Sequence, residues 1–121
     1  MRILVTGSRE WTDWETIQRA LQEAGDGDWN TLIHGDCSTG ADSIADNFGC
    51  FCCWEIERYP ADWAKYGKAA GPVRNQEMVD AGADICLAFF QPGAANRGTA
   101  DCVSRAEKAG IPVLRYPLEG K

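Results

Sequence analysis

Arg2-Ile3-Leu4-Val5-Thr6, followed by Gly7-Ser8-Arg9-Glu10-Trp11, is the stretch that decides the fold. A short β-branched and apolar run reads as a buried strand, and the glycine, hydroxyl, cation and aromatic after it read as a turn. Thr12-Asp13-Trp14-Glu15 has the spacing of a capping box, with Thr12 as cap and Glu15 three residues on. Apolar residues at Trp14, Ile17, Leu21 and Ala24 then fall on one helical face, which Gly25-Asp26-Gly27-Asp28 ends. A strand, a tight turn and a helix at the start of a chain predict an open parallel sheet. In such sheets ligands bind at the carboxyl ends of the central strands. The turn from Gly7 to Trp11 is therefore expected to form one wall of a nucleotide-phosphate pocket.

The rest of the chain continues the alternation. Thr31-Leu32-Ile33-His34 is a second strand, and Ala41, Ile44, Ala45, Phe48 and Cys52 mark the buried face of a second helix beginning after Thr39-Gly40. Trp54 to Tyr59 alternates apolar and charged residues, as a half-exposed edge strand does. Pro72 suits the first turn of a helix that ends near Gly82. Ile85 to Phe90 is the most continuous apolar run and reads as a buried central strand. A loop over Gln91–Thr99, a helix from about Thr99 to Ala109 and an edge strand Val113–Tyr116 complete the pattern. The expected fold is α/β, one Rossmann-like three-layer domain over residues 1–121, with a five-stranded parallel sheet in the order 3-2-1-4-5. The order reverses between strands 1 and 4, so the ligand crevice lies between the Gly7–Trp11 and Gln91–Thr99 loops.

Composition narrows the function. A chain of 121 residues with 45% hydrophobic and 25% charged residues is ordinary for a globular domain. The chain starts directly as a strand, with no signal-peptide pattern or membrane-length apolar run, and is read as cytoplasmic. The net charge of -6 argues against a duplex nucleic-acid surface and leaves room for a local anion site. Cys50, Cys52 and Cys53 lack metal-ligand or C-x-x-C spacing. With Cys37, Cys86 and Cys102 they read as reduced thiols, with no metal site and no cofactor.

Each candidate site residue has a structural reading beside its functional one. Gly7, Ser8 and Arg9 either cradle a phosphate or simply turn the chain. His34-Gly35-Asp36-Cys37-Ser38-Thr39-Gly40-Ala41-Asp42 has the glycine spacing of a P-loop. The lysine position is Ala41 and the hydroxyl position Asp42, so Walker-type chemistry is excluded. What remains is an anion site at a helix N-terminus or a cap in which Asp42 pairs with Thr39. His34, the chain's one histidine, is read first as structural. Trp63 either stacks on a base or packs over the sheet, and Arg74, followed by Asn75, either clamps a phosphate or snorkels. Gly93, Gly98 and Thr99 form the second wall, or an ordinary capped loop.

Gly7-Ser8-Arg9 with Trp11 and Asp13, His34-Gly35 with Gly40-Ala41-Asp42, Pro60-Ala61-Asp62-Trp63, Gly71 with Arg74-Asn75, and Gly98-Thr99 occur in this order along nearly the whole chain. The ordered set resembles the SLOG superfamily, which joins the DNA-processing protein A fold to the Lonely Guy phosphoribohydrolases, and within it the YspA-like family. The resemblance implies a Rossmann-like fold that binds a nucleotide or nucleotide-derived small molecule, such as an ADP-ribose or NAD derivative or a cyclic nucleotide signal, as sensor or sequestering module. It also makes a homodimer an expected partner. One departure bears on catalysis. Lonely Guy enzymes carry P-G-G-x-G-T-x-x-E, whose glutamate acts in cleaving base from ribose phosphate. Here the position three beyond Thr99 is Cys102, and Asp101 is turned about 100° away around the helix. Phosphoribohydrolase chemistry would need a substitute carboxylate, and Glu10, Asp13, Asp42 and Asp62 are the candidates.

Overall fold

The computed structural model describes residues 1–27 and 29–117. Asp28, expected in the stop signal of the first helix, and residues 118–121 lie outside them. Strands β1 (Arg2–Gly7), β2 (Thr31–His34), β3 (Glu55–Arg58), β4 (Ile85–Phe89) and β5 (Val113–Tyr116) alternate with helices α1 (Trp14–Ala24), α2 (Ala41–Phe51), α3 (Trp63–Tyr66), α4 (Ala70–Ala81) and α5 (Arg97–Lys108). A short 3-10 turn, Gly67–Ala69, joins α3 to α4. Among the described residues the strands form one parallel sheet in the order β3-β2-β1-β4-β5. This is the Rossmann-like arrangement the alternation predicts, with the apolar β1 and β4 adjacent at its centre and β3 and β5 at the edges.

The period-two geometry of a strand sends successive residues of β1 to opposite faces. Ile3 and Val5 pack with Ile17, Leu21, Ala41, Ala45 and Phe89 under α1 and α2. Leu4 packs with Met78, Val79, Cys102 and Ala106 under α4 and α5. The result is three layers with both sheet faces covered, which is why β1 and β4 are continuous apolar runs. No helix among the described residues is long and apolar enough to cross a membrane.

Four local expectations change. Asp13, not Thr12, caps α1: its carboxylate accepts both the Thr16 N–H (3.2 Å) and the Thr16 hydroxyl (2.6 Å), a pair of bonds that holds its pKa below the usual carboxylate range. Trp14, expected on the buried face of α1, is 57% exposed, because Trp11 already fills that end of the core and Ala20 takes the next inward position. Cys52 lies one residue past α2 and is exposed, since the chain turns through a left-handed Cys53 (φ 59°). Helix α5 starts two residues before Thr99, after Asn96 in the left-handed region (φ 54°). The Asn96 side chain accepts the Gln91 N–H (3.0 Å) and donates to the carbonyls of Gln91 and Ala94 (both 2.9 Å), tying the β4–α5 loop into a ring.

Candidate functional site

The crevice opens at the carboxyl ends of β1 and β4. It is a cavity of ≈ 570 Å³, within the range of small-molecule sites. An adjoining recess of ≈ 290 Å³ shares Arg9, Gly35, Cys37, Trp63 and Arg74 with it. Four segments supply the walls: Gly7 to Glu10, the loop leading into α2, the start of α4, and the Ala94–Thr99 stretch entering α5.

The β1 turn is held by backbone. Ser8 N–H donates to Phe89 O (3.0 Å), and Ser8 O accepts the N–H groups of Ala41 (3.1 Å) and Trp11 (3.3 Å). Gly40 makes this approach feasible: a Cβ there would collide with Ser8 O and the Arg9 backbone, and its φ of 77° is one that side chains rarely adopt. Gly40 is also the N-cap of α2, with no side-chain cap, so the Thr39–Asp42 capping pair does not form. Ser8 Oγ accepts the Glu10 N–H (3.0 Å), which leaves its own proton to donate.

Arg9 and Arg97 are exposed on the cavity wall, and neither forms an ion pair among the described residues. Beside them is the N-terminus of α5. Its Ala100 N–H reaches Asn96 O (3.0 Å), while the amides of Arg97, Gly98 and Thr99 precede the first intrahelical bond and have no side-chain cap. Two guanidiniums without ion pairs beside uncapped first-turn amides concentrate positive charge on this part of the cavity wall. Buried Thr99 lies just inside it.

Arg74 and Asn75 also line the cavity, yet most of their polar atoms are committed to the scaffold. Arg74 Nη1 donates to Gly35 O (2.6 Å) and Tyr59 O (3.4 Å), and its Nε donates to Asn75 Oδ1 (2.9 Å). A Cβ on Gly35 would meet the guanidinium, so the glycine lets Arg74 lie close against this loop. Asn75 Nδ2 donates to Gly98 O (3.2 Å) and to Asp101 Oδ2 (3.0 Å), which joins α4 to the start of α5. Through Nε and Nη1, Arg74 thus ties the β2–α2 and β3–α3 loops to α4. Trp63 is 53% exposed at the rim, its ring 3.8 Å from the position a Cβ on Gly71 would take. It is an exposed ring beside both compartments rather than a core residue.

Of the acids, Asp13 and Asp62 lie outside the main cavity and serve as the N-caps of α1 and α3, where Asp62 accepts the Lys65 N–H (3.0 Å). Glu10 lies exposed on the wall. Asp42 lines the cavity at 5% exposure, and burial pushes its pKa up against the pull of His34, Cys37 and Arg74. Asp101, set aside by rotation in the sequence, also lines the cavity, where Asn75 on α4 donates to its carboxylate. Partial burial opposes its ionisation, but the bonds from Arg105 (2.9 Å) and Asn75 prevail and hold its pKa low. Cys102, at the family glutamate position, is fully buried beside Cys86.

Four predicted binding residues lie off the cavity wall. Trp11 is 4% exposed, edge-on to Phe89 at 5.4 Å, with Nε1 donating to Asp13 O. His34 sits behind the α2 loop: Nδ1 accepts the Asp36 N–H (2.9 Å), so Nε2 carries the proton given to Asp46 (2.7 Å). Gly40 shapes the wall from beneath, and Gly93 (φ 86°) only turns the loop. Residues the motif reading missed, Cys37, Ala94, Ala95, Asn96, Arg97 and Asp101, do line it. The asparagine's tolerance of left-handed backbone was the available signal that α5 starts at Arg97.

Two similarities bear on this arrangement. The sequence profile of the YspA, cpYpsA-related SLOG family (YAcAr) matches residues 1–66, which carry β1 to β3 and the cavity wall as far as Trp63. The chain is also similar to the Gene 61 protein of Mycobacterium phage D29, with 41% identity over an alignment of 128 residues covering 95% of each chain.

Proposed function

Because the chain belongs to the YspA, cpYpsA-related SLOG family, we propose that the cavity binds a nucleotide or nucleotide-derived small molecule and that the protein acts as a sensor or sequestering module for it. The observation that carries this reading is the pairing of Arg9 and Arg97, without ion pairs among the described residues, with the uncapped N-terminus of α5, all on one cavity. That end suits a phosphate or diphosphate. Trp63 offers a π-face to a base, and the adjoining recess has room for a second group, as in an ADP-ribose or NAD derivative. A thermal-shift panel of ADP-ribose, NAD, AMP and cyclic nucleotides tests it. A binding member raises Tm by mass action, and no shift with any member at millimolar concentration refutes the proposal.

A second reading, hydrolysis of an N-glycosidic bond, has one specific observation in its favour: Asp42, alone among the four candidate acids, is a buried carboxyl on the cavity wall whose pKa is raised toward general-acid use. Chromatography of AMP and NAD after incubation decides it. Free base released by the wild type and not by Asp42→Ala supports hydrolysis; no free base leaves binding as the function.

A further inference from the structure

Asp42 has an unusual environment for a buried carboxylate. Among the described residues its hydrogen-bond partner is Cys37 alone, whose N–H reaches Oδ2 at 3.4 Å. Carboxylates this deeply buried take several strong donors or a cation. The nearby groups that could serve are largely committed elsewhere: Arg74 spends Nε and Nη1 on Asn75, Gly35 and Tyr59, leaving Nη2 as its one free arm among the described residues, while His34 donates Nε2–H to Asp46 and accepts the Asp36 N–H at Nδ1. Among the described residues no side-chain polar atom sealed from solvent lacks a partner, so Oδ1, which no N–H donor reaches and which has only the weakly donating Cys37 thiol beside the carboxylate, is open to the cavity that Asp42 lines. A nine-tenths buried acceptor is thus left facing the space where the ligand sits. The guanidiniums of Arg9 and Arg97, without ion pairs among the described residues, attract a phosphate.

We propose that Asp42 is a specificity residue of this site, accepting a neutral O–H or N–H donor that the bound nucleotide brings. This rests on the nucleotide reading and adds the orientation: phosphate toward Arg9 and Arg97, hydroxyl-bearing sugar or amino-bearing base toward Asp42. A site with a buried acceptor penalises a ligand that lacks the matching donor, because the acceptor is then dehydrated and unpaired.

The test is calorimetric titration with AMP, 2′-deoxy-AMP, 3′-deoxy-AMP and IMP; each deoxy compound removes one hydroxyl, and IMP puts a carbonyl in place of the exocyclic amine while adding an N1–H. For the wild type, one analogue binds at least about tenfold more weakly than AMP. A deoxy compound would identify a ribose hydroxyl as the donor, and IMP the exocyclic amine. In Asp42→Ala that gap falls below about twofold, and Tm is unchanged or higher because a poorly bonded buried charge has gone. A purely structural Asp42 would instead lower Tm, and a fall of several degrees overturns the proposal. Equal affinities across the series in the wild type, or a gap that survives in Asp42→Ala, also overturn it while leaving the nucleotide reading standing. Absence of AMP binding overturns the proposal, and the wider ligand panel then decides the nucleotide reading separately.

Discussion

Asp42 and Asp46 stand one turn apart on α2, and the regions around them are built on opposite terms. Asp46 accepts His34 Nε2–H (2.7 Å) and Arg58 Nε–H and Nη2–H (2.7 and 3.2 Å), and Cys50 Sγ–H lies at 3.5 Å. These bonds, led by Arg58, hold its pKa at about 2. Asp42 is more deeply buried, has one long bond, and has its pKa pushed up by that burial. The first region is finished by its own side chains. The second is finished by backbone contacts and leaves its charges, Arg9, Arg97 and Asp42, facing a cavity. The contrast separates a structural acid from one held in place for something else to meet.

The largest effect should come from the backbone of the cavity region. Gly40→Ala puts a Cβ against Ser8 O at a left-handed φ and should cost about 3 kcal/mol or more in urea denaturation. A cost under about 1 kcal/mol would mean that the Ser8–Gly40 approach does not hold the wall. Next, Asp46→Ala strips the partner from His34, which is 1% exposed, and should cost about 2 kcal/mol. Against it, Asp42→Ala should cost nothing and may be gauged in the same denaturation series; equal losses from the two would erase the distinction between the regions.

These residues also show how far the sequence could be read. The strand order followed from strands alternating with helices and from the apolar character of β1 and β4, because both belong to a sheet covered on two faces. The cavity's first wall was legible for the same reason, since Gly7, Ser8 and Arg9 follow the central strand directly. Trp11 was not legible as a core residue, and the structural reading of His34 could not name its partner. A tryptophan after a phosphate-type turn and a histidine at a strand end look the same in sequence whether they face ligand or protein. What fixes them is Phe89 and Asp46, partners distant in the chain. Asp101 was missed because what sets its carboxylate on the wall is Asn75 of α4, a partner distant in the chain.

The smallest effect has opposite signs at the two acids. Asp46 has a lowered folded pKa, so its contribution is fully present above the ordinary carboxylate range and is lost as pH falls toward about 2. Discounted for solvent screening, this is about 1 kcal/mol. Asp42 has a raised folded pKa, so it favours the folded state under acid conditions and weakens it as pH rises from the ordinary carboxylate value through its own. Urea midpoints measured from pH 2 to 7 should therefore show a shallower acid-side loss in Asp46→Ala than in the wild type. In Asp42→Ala the gain over wild type should grow with pH, and parallel curves for all three proteins would remove the assignment.

The most direct test of the central claim is titration calorimetry of ADP-ribose into the wild type and the Arg9→Ala/Arg97→Ala double variant. The account predicts saturable binding to the wild type, weakened about tenfold or more in a double variant that keeps its Tm, because each guanidinium makes charge-assisted bonds to the diphosphate. Wild-type affinity in the double variant would place the ligand elsewhere than this cavity and contradict the account.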